Sequence, residues 1–158
     1  MRMNGRVWRP TALAAAVMAL TVSCGLVPGT YAVQLPADRL EGRWASTRGE
    51  VSLTFHADHT FTGEHFEALS VSTDCESPAG PVSGRWAFLA PTEPGGSTST
   101  ADEAATRGQE LSLTFADHRC DTSAHLFGDE DAPAMCPSRD PDSGCTATGY
   151  LYRRDQGE

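Results

Sequence analysis

Apolar and polar residues alternate with a period of two in several short stretches, the pattern of strands that bury one face. Val51, Leu53 and Phe55 alternate with Ser52, Thr54 and His56, and Leu111, Leu113 and Phe115 alternate with Ser112 and Thr114. The pattern predicts strands over about residues 42–46, 50–56, 60–66, 83–89, 109–116 and 146–153, with a further short strand near 125–127. Residues 35–41 fit one short helical turn. No stretch sustains a 3.6-residue period, so almost no helix is expected.

The turn between the second and third strands sets their register. A four-residue connection pairs His56 with Phe61 and puts Phe61 on the face opposite Phe55. A three-residue connection, Ala57-Asp58-His59, pairs Phe55 with Phe61 and places both rings on the buried face. A one-residue slip turns a strand's whole apolar set outward, so the shorter connection is expected. Such turns commonly end on a residue with positive φ, usually Gly; His59 holds that place here.

The strands repeat. Gly42-Arg43-Trp44 leads to Ser52-Leu53-Thr54-Phe55, and Gly84-Arg85-Trp86 leads to Ser112-Leu113-Thr114-Phe115. One short β unit used twice indicates an all-β fold with an internal two-fold repeat. The expected architecture is a small antiparallel meander barrel of about six to eight short strands, which closes its own edges. Two long irregular loops interrupt it. Residues 91–108 are rich in Pro, Gly, Ser, Thr, Asp and Glu and read as a mobile low-complexity insertion; residues 117–145 form a cysteine-containing loop. A barrel of few strands fills its interior with side chains. Trp44, Phe61, His65 and Trp86 are the candidates to line a ligand pocket at its mouth, and plain core packing is the alternative for the aromatics.

The N-terminus reads as an export signal over residues 1–23. Arg2, Arg6 and Arg9 precede an uncharged, mostly apolar run from Thr11 to Val22, too short to span a bilayer as a mature helix. Leu20-Thr21-Val22-Ser23-Cys24 resembles a bacterial lipobox, which makes Cys24 the expected lipidation site and new N-terminus. Two acyl chains hold a protein on a membrane stably, at about 0.8 kcal/mol per buried methylene. Residues 24–37 carry no charge and read as a flexible tether; 38–155 form the barrel domain. Cys75, Cys120, Cys136 and Cys145 are an even set suited to two disulfides outside the cytosol. Of the three pairings, Cys120–Cys136 with Cys75–Cys145 is preferred, since the first closes the late loop and the second ties it to the body.

Charge narrows the partners. Three of the 12 basic residues lie in the signal, so 9 face 21 acidic ones in the mature chain, a net of −12 with no Lys. That argues against nucleic-acid binding and against adsorption to anionic lipid. His56, His59 and His65 cluster near one hairpin but do not converge on the register above, with His65 facing inward, so no metal is expected. Asp129-Glu130-Asp131 and Asp140–Gly144 lack the ligand spacing of a calcium loop. There is no Gly-x-Ser-x-Gly elbow and no phosphate-binding glycine loop. Neither a catalytic residue nor a cofactor is expected.

Leu40-Glu41-Gly42-Arg43-Trp44, Leu53-Thr54-Phe55 and Ala57-Asp58-His59-Thr60-Phe61, with the later Ser83-Gly84-Arg85-Trp86 and Tyr150-Leu151-Tyr152-Arg153-Arg154, resemble segments of uncharacterised actinobacterial (streptomycete-type) lipoproteins. The Gly-x-Trp opening is also similar to the first strand of lipocalin-like (calycin-like) barrels. The resemblance covers roughly residues 35–155. It implies a β-barrel on a membrane anchor and supplies no catalytic residues. The expected protein is an extracytoplasmic lipoprotein on the outer face of the cytoplasmic membrane. Its domain would be a non-catalytic binding or accessory module for an unknown protein or small ligand. The alternatives are a lipocalin-like carrier of a small apolar ligand and a cell-envelope hydrolase.

Overall fold

The structure is a computed structural model that describes residues 31–68, 80–116, 121–138, 145 and 149–154. Residues 1–23, expected as an export signal, and Cys24, Cys75 and Cys120 lie outside the described residues.

The chain is nearly all β. In order it forms β1 (Leu35–Pro36), α1 (Ala37–Leu40), β2 (Gly42–Ser46), β3 (Ser52–Phe55), β4 (Thr60–Glu64) and a 3-10 turn (Phe66–Ala68). It continues with β5 (Val82–Pro91), β6 (Ser99–Asp102), β7 (Arg107–Gly108), β8 (Glu110–Phe115), β9 (Asp121–Asp129), β10 (Ala132–Pro137) and β11 (Leu151–Arg154). Eight strands, β2-β3-β4-β5-β8-β9-β10-β11, pair in that order, and β11 returns to β2. All these pairings are antiparallel, so the barrel is a closed meander. Strand β5 outruns the barrel. Its first half pairs with β4, and its second half pairs with β6 along the same edge.

The doubled sequence pattern is a doubled register. Gly42, Arg43 and Trp44 face Phe55, Thr54 and Leu53; Gly84, Arg85 and Trp86 face Phe115, Thr114 and Leu113. The two Trp-led hairpins stand three strand positions apart around the barrel of eight. Each indole N–H is satisfied by a carbonyl outside its own hairpin. Trp44 Nε1 donates to Leu40 O at 2.8 Å, and Trp86 Nε1 donates to His56 O at 3.1 Å. The first bond ties the barrel to α1 and the second to the β3–β4 turn.

The period-2 alternation puts one face of every strand inside. Trp44, Leu53, Phe61, Trp86, Phe88, Leu111, Leu113, Leu126, Met135 and Leu151 form one buried cluster. Fully burying a side chain of this kind contributes about 2–3 kcal/mol. Small residues make room for large ones on the same inner face. Phe61 lies opposite Gly84, where an added Cβ would meet Thr114 O and, at 2.7 Å, Phe61 Cε1. At Gly63 the same atom would meet Leu53 Cδ2 at 2.6 Å.

The β3–β4 register is the one the three-residue turn requires. Phe55 pairs with Phe61, His56 N–H donates to Thr60 O at 2.9 Å, and His59 sits at φ 61°. The short helical turn expected before the first Trp is α1.

Four expectations are corrected. Residues 24–37 do not all serve as a tether. Ala32 bridges to Phe127, Val33 N–H donates to Leu126 O, and Leu35 is fully buried, so the folded domain already includes residues 31–36. Residues 91–108 are not structureless: they carry β6 and β7, and Arg85 pairs with Glu103 at 2.8 Å. A strand on an exposed edge needs backbone hydrogen bonds but no apolar alternation, so the composition concealed it. Residues 117–145 hold the β9–β10 hairpin rather than a loop. Its inward positions are Thr122, Ala124, Leu126 and Gly128 against Pro133, Met135 and Pro137, too small and mixed to show a clean alternation. The preferred cysteine pairing fails because Cys136 is bonded to Cys145. Cys136 is the last residue but one of β10, and Cys145, nine residues on, is its disulfide partner.

Two measurements follow. Gly84→Ala is expected to lower stability by about 2–3 kcal/mol, because the methyl group overpacks a closed interior; an unchanged urea midpoint contradicts the packing. Cleavage after Met135 and after Arg139 isolates Cys136–Arg139, which is expected to stay linked to the peptide beginning at Asp140 until reduction. Recovery of unlinked Cys136–Arg139 without reductant contradicts the pairing.

Candidate functional site

Three of the four expected pocket residues are core. Trp44 and Phe61 are fully buried and Trp86 nearly so. The aromatic rings pack on one another: Phe55 meets Trp86 edge-on at 6.1 Å, and Phe61 meets Phe115 at 5.5 Å. These contacts fill the interior that a carrier would keep open. The fourth residue, His65, does not face inward. Strand β4 ends at Glu64, His65 turns the chain at φ 56°, and Phe66 takes the buried place. The His65 side chain is 68% exposed and lies 3.4 Å from Glu67.

The other hairpin histidines also go separate ways. His56 is exposed, and His59 stacks on Trp86 with ring centroids 4.4 Å apart. Among the described residues, no group of three His, Cys, Asp or Glu side chains stands together as a metal cradle.

The outer wall carries two shallow polar grooves. One, of about 520 Å³, crosses β2, β3, β4 and the start of β5. Its floor is a cross-strand row, Arg43–Thr54–Thr62–Ser83, with Ser52 and Glu64 beside it. All four row residues are outward positions of the period-2 pattern, which is why they are polar. The other groove, of about 440 Å³, lies at the α1 end between Asp38, Glu41, His56, Arg153 and Arg154. The two share Thr54. Arg154 Nη2 is held by Ser46 O at 3.0 Å, and none of the ion pairs formed among the described residues includes Arg43 or Arg153. The grooves therefore offer guanidinium donors, hydroxyls and carboxylate acceptors to a polar ligand.

A second outward row crosses β8, β9 and β10. Glu110 lies opposite His125, and His125 lies opposite Cys136. His125 is only 8% exposed, and its Nε2 is buried without a hydrogen-bond partner. Glu110 Oε1 stands 3.8 Å away, beyond hydrogen-bond range. An unsatisfied buried polar atom costs about 1–3 kcal/mol. This row was missed in the sequence because Cys136 fell within an assumed loop and the short strand expected near 125–127 had no assigned neighbour. Only the strand register brings the three together.

Two carboxylates titrate low. A hydrogen bond from the Thr60 hydroxyl at 2.6 Å, joined by the Thr60 amide at 3.1 Å, holds Asp58 below the usual carboxylate range. The backbone amide of Glu67 itself, with the His65 imidazole as a lesser cause, does the same for Glu67. Both support turns rather than a catalytic pair.

No protein-family model matches the chain, and neither a curated protein nor a solved structure does.

The low Asp58 value generates a pH prediction. A depressed folded-state pKa contributes stability above the unfolded value of about 3.8 and loses it as pH falls through the folded value. Asp58→Asn is therefore expected to be less stable than the parent at pH 7, with the difference narrowing below pH 3.8. A gap that stays constant through that range contradicts the turn assignment.

Proposed function

We propose that this chain is an extracytoplasmic lipoprotein, fixed to the outer face of the cytoplasmic membrane through Cys24, whose barrel is a non-catalytic binding or accessory domain. The observation that carries this reading is the filled interior. With Trp44, Phe61, Trp86 and Phe88 buried against one another, recognition falls to the outside of the barrel. The polar grooves on β2–β5 and at the α1 end suit a polar ligand or a protein surface better than an apolar molecule. This weighs against the lipocalin-like carrier, whose cargo needs internal space.

The short tether adds orientation. Cys24 precedes Tyr31 by seven residues, a reach of about 25 Å when extended. Tyr31 enters beside the end of β9, its carbonyl accepting Gly128 N–H, and is 72% exposed. The lipid would then hold the α1 end near the bilayer. Strands β4 and β10 end, and β5 and β11 begin, at the opposite end.

The test is fractionation of cells making the chain with Cys24→Ser. Release of the variant into the medium, with the parent retained on membranes, is expected. Equal retention of both contradicts the anchor.

A further inference from the structure

Resting on the extracytoplasmic reading but going beyond a purely binding role, we propose that Cys136–Cys145 is a stoichiometric thiol–disulfide exchange site, served by His125 and Glu110, that oxidises a dithiol outside the cytosol. Four observations meet there. First, the register lines up Glu110, His125 and Cys136 on adjacent strands β8, β9 and β10, all on the outer face. Directly opposed residues of an antiparallel pair hold their Cβ atoms about 4.5–5.5 Å apart, within reach of imidazole and sulfur. Second, the two sulfurs are placed differently. Cys136 is 1% exposed, whereas Cys145 is partly exposed on the connection to β11. Third, His125 Nε2 is buried and unpartnered in the oxidised chain. Fourth, Glu110 Oε1 stands 3.8 Å from that nitrogen, close enough to stabilise a charged imidazole.

The arrangement is that of a nucleophile or leaving group, a base and a group that supports the base. It gives the exchange a direction. A thiolate of an incoming dithiol attacks the sulfur of Cys145, the less buried partner of the bridge. The bond to Cys136 breaks, and its electron pair stays on Cys136 as a thiolate. The His125 ring, directly opposite Cys136 on β9 and in ion-pair range of Glu110, acts as the general acid toward that thiolate. The second thiol of the partner, its proton passing to the His125 ring and restoring it, then attacks the mixed disulfide, and Cys145 leaves as a thiolate that takes a proton from water. The partner loses two electrons and two protons and gains a disulfide; the Cys136–Cys145 pair gains both. Exchange runs faster when the leaving thiolate is better stabilised, and burial alone disfavours it. His125 is the group that offsets that burial. Among the described residues, Glu110 is the carboxylate in ion-pair range of the ring, and Cys136 is the titratable group opposite it on β10. Phe127 closes one side at 6.4 Å, with Tyr150 beyond it.

His125 and Glu110 are positioning residues for this step, so the test reads sulfur chemistry and not stability alone. The folded parent is equilibrated with dithiothreitol buffers of graded ratio at pH 7 and trapped by alkylation. Cys136 is then quantified in the Cys136–Arg139 peptide. The bridge is expected to open while near-ultraviolet dichroism stays native. The freed Cys136 is expected to alkylate about tenfold faster than in His125→Phe. His125→Phe is also expected to shift the exchange equilibrium about tenfold toward the disulfide, roughly 30 mV for a two-electron couple. Glu110→Gln should fall between the two. If His125→Phe does not fold, His125→Gln, which keeps a polar side chain that does not titrate, serves in its place. A bridge that opens only when the chain unfolds overturns the proposal. So does a Cys136 alkylation rate that is the same with and without the imidazole.

Discussion

The register between β3 and β4 is the constraint on which the rest of the barrel depends. With Phe55 opposite Phe61, both rings point inward and Gly84 on β5 receives Phe61. The three-residue turn that sets this register is itself a docking point. His56 O accepts the Trp86 indole, His59 O accepts the Trp86 amide, and the His59 ring stacks on the same indole. A residue held at positive φ, uncommon for a non-glycine, is thereby bonded to the second tryptophan of the repeat. Local turn chemistry and long-range packing support the same answer, the condition under which a sequence specifies one fold.

Around the closed barrel, the α1 end is built up and held in a different way. Segment 31–36, β6, β7 and the β9–β10 turn attach by backbone hydrogen bonds and by Arg39–Asp131, Arg85–Glu103 and Arg107–Glu130. These pairs are substantially exposed, and such pairs contribute only about 0–1 kcal/mol each. The stability of the additions therefore rests on the backbone pairing and on a few buried anchors. Leu35, Leu40 and the Leu40 carbonyl beneath Trp44 are the main ones. A plugged interior and a decorated end leave the polar outer wall as the surface available for recognition.

What was legible in the sequence was whatever used large apolar residues at strict alternation. Val51-Leu53-Phe55, Leu111-Leu113-Phe115 and the two Gly-Arg-Trp segments placed four barrel strands, and the turn argument placed a fifth. What was hidden used other means. Beyond the short strand expected near 125–127, β9 and β10 put Thr122, Ala124, Gly128 and two prolines on the inner face, too few large apolar residues to show an alternation. Strand β6 faces solvent and is specified by edge pairing to β5, which leaves no trace in hydropathy. His65 was misplaced because a positive-φ turn, not the strand, governs its direction. The Glu110–His125–Cys136 row and the Cys136–Cys145 bond depend on which strands are neighbours. No spacing along one chain reports that.

The filled barrel is tested most directly by acrylamide quenching of tryptophan fluorescence in a chain of residues 24–158, whose tryptophans are Trp44 and Trp86. Both indoles lie within the core cluster, so quenching far weaker than that of a free indole, lost on unfolding, is the predicted result. Quenching as strong in the native chain as in the unfolded one would mean an interior open to solvent, and would contradict the packed barrel from which the outer-wall reading follows.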